Sequence, residues 1–172
     1  MASLMEELLN VLSEEEVTFK QLLDITARKT QIIVKNDIDA LRAITDEEQD
    51  VMNHIGLLDK KRETVTHDIA DVINKDVETL KLSALADMLK SQPSERERLN
   101  TLIDAIATTV RQIHRINEQN AELIKHSLEM VEFDMQIIKA MREAPQTANY
   151  GRNASSIGGT LGTMSEGFDA KQ

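Results

Sequence analysis

Residues 93–144 have the sequence PSERERLNTLIDAIATTVRQIHRINEQNAELIKHSLEMVEFDMQIIKAMREA. Apolar side chains recur here at steps of three and four residues, the spacing that places them on one face of an α-helix. The main row comprises Leu99, Leu102, Ile106, Ile113, Ile116, Leu123, Met130, Ile137 and Met141. Pro93 suits the first helical turn. The pattern predicts one helix of about 52 residues, or ~78 Å at 1.5 Å per residue.

The chain before this helix shows the same spacing. It predicts further helices over 3–35, 38–44, 46–74 and, from a weaker pattern, 77–90. The break at residue 45 is expected because Thr45 is followed three residues later by Glu48, the spacing of a capping box, while Asn36 and Asp37 are suitable N-caps for the short helix before it.

These helices predict an all-α fold. The architecture that buries their apolar faces is an elongated antiparallel helical bundle, or coiled coil, of three long helices plus one or two short ones. It is assigned to residues 1–144. Five of the six glycines follow Tyr150, so residues 145–172 are expected to be a flexible Gly/Ser/Thr-rich tail.

Composition excludes several classes of function. The chain has 172 residues, 20 Lys and Arg against 30 Asp and Glu, and a formal net charge of −10. This sign is unfavourable for binding nucleic acid or anionic lipid. Cysteine is absent, and the N-terminal segment lacks the basic residues of a secretory signal. No apolar run is long enough to span a membrane. A cytoplasmic protein is expected.

Charged residues interrupt the apolar faces of the first two long helices at four positions. In an antiparallel hairpin, facing residues have a constant sum of residue numbers, and a sum of 77 pairs Lys29 with Glu48 and Arg62 with Glu15. The same register sets Leu8 against Ile69. The alternative is that these long side chains reach solvent at the edge of the interface.

Two amide side chains interrupt the apolar face of the last helix. Asn117 and Asn120 are three residues apart, so both are expected on one face. Within a packed seam they would specify register at a cost in stability. The alternative is that they bind the backbone of a partner.

A search for catalytic or metal-binding motifs finds none. The four histidines, His54, His67, His114 and His126, lack the Glu-x-x-His spacing of a di-iron bundle. Three of them follow a carboxylate by four residues, which on a helix surface is an ordinary contact. No zinc-protease, P-loop or nucleophile-elbow motif occurs. We expect no enzymatic activity, no bound metal and no cofactor.

The layout of the whole chain resembles the FlgN family of flagellar export chaperones. The most specific matching feature is Asn117-x-x-Asn120-x-x-Leu123-Ile124 in the last helix, followed by Tyr150-Gly151 at the start of the tail. Further matching features are Lys29-Thr30, Leu41 in the short segment 38–44, Glu47-Glu48-Gln49 and Arg62.

The resemblance implies a cytoplasmic chaperone. Members of this family bind the helical terminal regions of the hook-filament junction proteins, also called hook-associated proteins. They prevent premature assembly of these clients and deliver them to the export gate of the flagellar type III apparatus. The alternative from a different class is a signalling four-helix module, either a phosphotransfer or a sensor bundle.

The client-binding site is expected on the second half of the longest helix. Its 52 residues exceed the other helices in length, so part of its apolar face should remain uncovered and bind a partner. The predicted client-binding residues are Leu123, Ile124, Met130, Val131, Phe133, Ile137, Ile138, Met141 and Tyr150. The competing explanation is that a second copy of the chain, in a homodimer, or the segment 75–92 covers this face.

Overall fold

The structure is a computed structural model that describes residues 2–74, 82–89 and 92–143. Four α-helices follow one another in these ranges, with no strand among them. They are α1 (Ala2–Val34), α2 (Ile38–Ile73), α3 (Leu82–Met88) and α4 (Pro93–Glu143). The prediction of an all-α helical bundle is confirmed. The expected tail, 145–172, and the predicted client-binding residue Tyr150 lie outside the described residues.

Contacts divide the chain into two compact units, Met1–Glu129 and Met130–Gln172. The first unit contains α1, α2, α3 and the part of α4 up to Glu129, and it carries the hydrophobic core. In the second unit the structure describes residues 130–143, which are helical throughout. The division therefore falls within α4.

The predicted break at residue 45 is wrong, because α2 is one continuous helix from Ile38 to Ile73. Its N-cap is Asp37, whose carboxylate accepts a hydrogen bond from the Ala40 N–H at 3.0 Å. Thr45 lies inside the helix and donates its hydroxyl hydrogen bond to the Leu41 carbonyl at 2.7 Å. A threonine inside a helix can satisfy its hydroxyl group in this way. The capping-box pattern at Thr45 therefore does not mark a helix boundary.

Residues in the left-handed backbone conformation lie just before and just after α2. Asn36, between α1 and α2, has φ 54°, and Asn74, the C-cap of α2, has φ 52°. Asparagine tolerates this conformation better than most residues. The short connection after Val34 reverses the chain, so α1 and α2 form an antiparallel hairpin.

The core of the first unit is formed where all four helices meet. Leu8 and Leu12 of α1, Ile69 of α2, Leu85 of α3 and Leu99 of α4 are each at most 1% exposed. Leu8 and Ile69, which the predicted hairpin register sets against each other, belong to this same cluster. The weak sequence pattern before Pro93 therefore contains a short helix, α3, that supplies core residues.

Candidate functional site

The last part of α4 exposes a continuous set of apolar side chains. Every side chain from Leu128 to Glu143 is exposed. Eight large hydrophobic residues in this segment are between 42% and 74% exposed, and we call them the α4 apolar surface: Leu128, Met130, Val131, Phe133, Met135, Ile137, Ile138 and Met141. A soluble helix face that is this apolar normally marks an interaction site.

The helix arranges these eight residues in two rows at steps of three and four residues, and the rows lie roughly 130° apart around the helix axis. One row consists of Met130, Phe133, Ile137 and Met141, and the other of Leu128, Val131, Met135 and Ile138. Glu132, Gln136, Lys139 and Glu143 form a polar row on the opposite side of the helix. The apolar side of this part of α4 is broad and is interrupted by Asp134, which lies between the two rows.

Sequence reasoning identified most of this surface but missed two of its members. Leu128 and Met135 complete the second row, and their spacing to Val131 and Ile138 is the signal that could have found them. Of the other predicted client-binding residues, Leu123 is half-buried and Ile124 is 37% exposed, and both belong to the first unit.

Both predicted ion pairs between α1 and α2 are present. Lys29 Nζ lies 2.5 Å from Glu48 Oε2, and each side chain is 18% exposed. Arg62 Nε donates to Glu15 Oε1 at 3.0 Å, and the Arg62 guanidinium also contacts Asp59 one turn earlier on α2. Because both pairs form, the register predicted for the hairpin is confirmed at these positions.

The environment of Glu15 perturbs its ionisation. Its side chain is 6% exposed, and burial raises the pKa of the carboxyl above its usual value, although the charge and hydrogen bond of Arg62 oppose this effect. Burial also disfavours the charged Arg62 guanidinium, but the nearby Glu15 and Asp59 carboxylates outweigh it and the pKa of Arg62 is raised. Arg62 is thus held as a cation between two acids.

The two predicted seam amides are in different environments. Asn120 is 3% exposed, donates to the Thr26 carbonyl at 3.2 Å and accepts from the Thr30 hydroxyl at 2.7 Å. Asn117 is exposed, so the expectation of a buried layer of two amides is wrong for this residue. Three residues correspond to about 300° of helix rotation, which leaves the two side chains about 60° apart around the helix axis. The packed face of α4 at this point is too narrow to include both.

The four histidines are exposed and each lies within 3.5 Å of a carboxylate. The partners are Glu14 for His54, Asp71 for His67, Glu118 for His114 and Glu129 for His126. None is the preceding carboxylate that the sequence suggested. Within residues 2–74, 82–89 and 92–143, no group of three or more ligating side chains could hold a metal ion.

The described residues form an all-α bundle whose last helix exposes apolar side chains. Comparison with protein families identifies it further: the family model described as FlgN protein matches residues 1–156. The chain belongs to the FlgN family and is a flagellar export chaperone. No curated protein and no solved structure matches the chain. Among the helices that the structure describes, none is long and apolar enough to cross a membrane.

Proposed function

We propose that this chaperone acts in the cytoplasm, where its α4 apolar surface binds the helical terminal region of a hook-filament junction protein. It prevents premature assembly of that client and delivers it to the export gate of the flagellar type III apparatus. The observation that carries the proposal is the exposure of all eight members of the α4 apolar surface. Membership of the FlgN family supports the flagellar context.

The chemistry of this surface suits an amphipathic client helix. Apolar residues at i, i+3, i+4 and i+7 of one helix pack against the same pattern on another. Three of the eight members are methionines, whose flexible thioethers adapt to partners of different shape. From Glu129 to Glu143, both included, the segment carries four carboxylates and two basic side chains, so a client helix with basic flanking residues is favoured electrostatically.

The residues after Glu143 contribute to the proposal through their sequence. Tyr150, Ile157, Leu161, Met164 and Phe168 are spaced apolar residues in a glycine-rich stretch of the sequence. We expect them to add contacts to the bound client at an entropic cost. Deletion of residues 145–172 should leave the melting temperature unchanged and weaken client binding.

The decisive test is the double variant Ile137→Asp with Ile138→Asp. Two charges on an exposed apolar face should abolish binding of a junction-protein terminal helix, measured by calorimetry, without altering thermal unfolding. The matched control is Gln136→Asp with Lys139→Gln, which changes the net charge equally on the polar row and should bind as the parent does.

Two results would overturn the proposal. One is client binding by the double Asp variant with parental affinity. The other is a change in oligomeric state alone, in which light scattering shows a parental dimer become a monomer while client affinity persists. In that case the surface joins two copies of the chain.

A further inference from the structure

The first unit contains a groove that shares no residue with the α4 apolar surface. It has a volume of about 520 Å³ and is lined by α1, α2, α4 and the first residue of α3. Most of its lining is apolar and partly exposed, including Phe19, Met52, Ile55, Ile106 and Val110. Met52 is 47% exposed and Val110 is 41% exposed, so apolar area within the groove remains accessible to a partner.

Gly56 lines this groove in the interior of α2, where the fold gives no reason for a glycine. Its φ is not positive, and a Cβ added to it would meet nothing within 4 Å. A glycine in a helix interior is unfavourable relative to alanine. What glycine provides at such a position is room for another backbone to approach closely.

The polar wall of the groove has an acidic balance. Glu15 and Asp59 are two carboxylates around the single guanidinium of Arg62, and the Asp59 side chain is 50% exposed. A basic side chain on an incoming partner would complement this wall. A second copy of the chain is disfavoured as the occupant because each copy carries a formal net charge of −10.

We propose that this groove is a second client-docking surface, in which one amphipathic client helix packs its backbone against Gly56 and places a basic side chain beside Asp59. The inference rests on the proposed function, because it takes the same class of partner. It adds a contact on the first unit that is separate from the α4 apolar surface.

The test is Gly56→Leu, assayed for binding of the full helical terminal region of a junction protein. The new side chain enters empty space, so the melting temperature should stay the same or rise, while the client Kd should weaken at least tenfold. Lys61→Leu is the matched control, because it adds a leucine at an exposed position on another side of α2. It should bind as the parent does.

Two further variants strengthen the test. Gly56→Ala adds one methyl group and should raise the melting temperature by a few degrees while weakening client binding severalfold, which keeps the test usable if Gly56→Leu does not fold. Replacing the client's basic residues one at a time by Gln should identify one whose loss weakens binding to the parent but has no effect on binding to Asp59→Asn.

Several outcomes would overturn the groove assignment. Parental client affinity in both Gly56 variants would do so. A fall in melting temperature for Gly56→Ala would show that another part of this chain fills the groove, and loss of a dimer with client affinity retained would assign it to a second copy. If Ile137→Asp with Ile138→Asp abolishes binding while the Gly56 variants do not weaken it, the groove alone is rejected. If the parent binds no junction-protein helix, the proposed function fails.

Discussion

The beginning and the end of α4 carry apolar residues at the same spacing but expose them to opposite degrees. Leu99, Leu102 and Ile113 are at most 9% exposed, whereas Met130, Phe133 and Met141 are at least 62% exposed. Residues of the first kind contribute to stability by removing apolar area from water, at about 25 cal/mol per Å². Residues of the second kind leave that free energy available for binding a partner. One helix thus combines a part that is packed in the core with a part whose apolar side chains are uncovered.

The largest expected difference between the two parts of α4 is in the free energy of unfolding when one side chain in each part is shortened to alanine. Leu99→Ala removes a side chain that is 0% exposed and should lower the free energy of unfolding by about 2–5 kcal/mol, measured by urea denaturation. Met130→Ala removes one that is 69% exposed and should change it by at most about 0.5 kcal/mol. A loss above about 1 kcal/mol for Met130→Ala would show that this residue is covered in solution.

Ion pairs allow the same comparison between a buried and an exposed position, with smaller expected changes in the free energy of unfolding. Arg62→Met leaves Glu15 buried without its cation and should cost about 1–3 kcal/mol in the free energy of unfolding. The control is Lys139→Met, since Lys139 lies 3.9 Å from Glu143 with both side chains more than two-thirds exposed. Its loss should cost at most about 0.5 kcal/mol.

A charge swap tests whether the Arg62 effect comes from the pair itself. Glu15→Arg combined with Arg62→Glu should recover part of the loss. Recovery is incomplete because the new Glu at position 62 lies beside Asp59, which contacts Arg62 in the parent. No recovery at all, measured by the same denaturation experiment, would contradict the predicted coupling.

The parts of the fold that were predictable depend on short connections along the chain. The ion pairs of the α1–α2 hairpin followed from residue numbers alone because a three-residue connection fixes the antiparallel register. The continuity of α2 was not predicted, because Thr45 can act as a cap or bond back to the Leu41 carbonyl and the local pattern is the same. Asp37 was named correctly as a cap, but of a helix expected to end at residue 44.

The candidate site was predictable only as far as helix spacing shows which residues share a face. The periodicity located most of the α4 apolar surface, but spacing does not show whether a face is covered, and that required the structure. The groove at Gly56 could not be predicted, because its walls come from helices far apart in sequence. The exposure of Asn117 could not be predicted for the same reason, because the width of the packed face of α4 depends on how closely α1 approaches it.

The smallest expected effect concerns the amide that does lie in the packed part of α4. Asn120→Leu should raise the free energy of unfolding by about 1 kcal/mol, because it adds buried apolar area. The Thr26 carbonyl stays satisfied because the Thr30 hydroxyl lies 3.3 Å from it. The same variant should loosen the register between α1 and α4, seen as doubled amide resonances, since a buried amide specifies register at a cost in stability. Asn117→Leu, at an exposed position, should change stability by at most about 0.5 kcal/mol and leave single resonances. A loss of more than about 1 kcal/mol for Asn120→Leu would mean that this hydrogen-bonded amide stabilises the packed part of α4 and does not act through register.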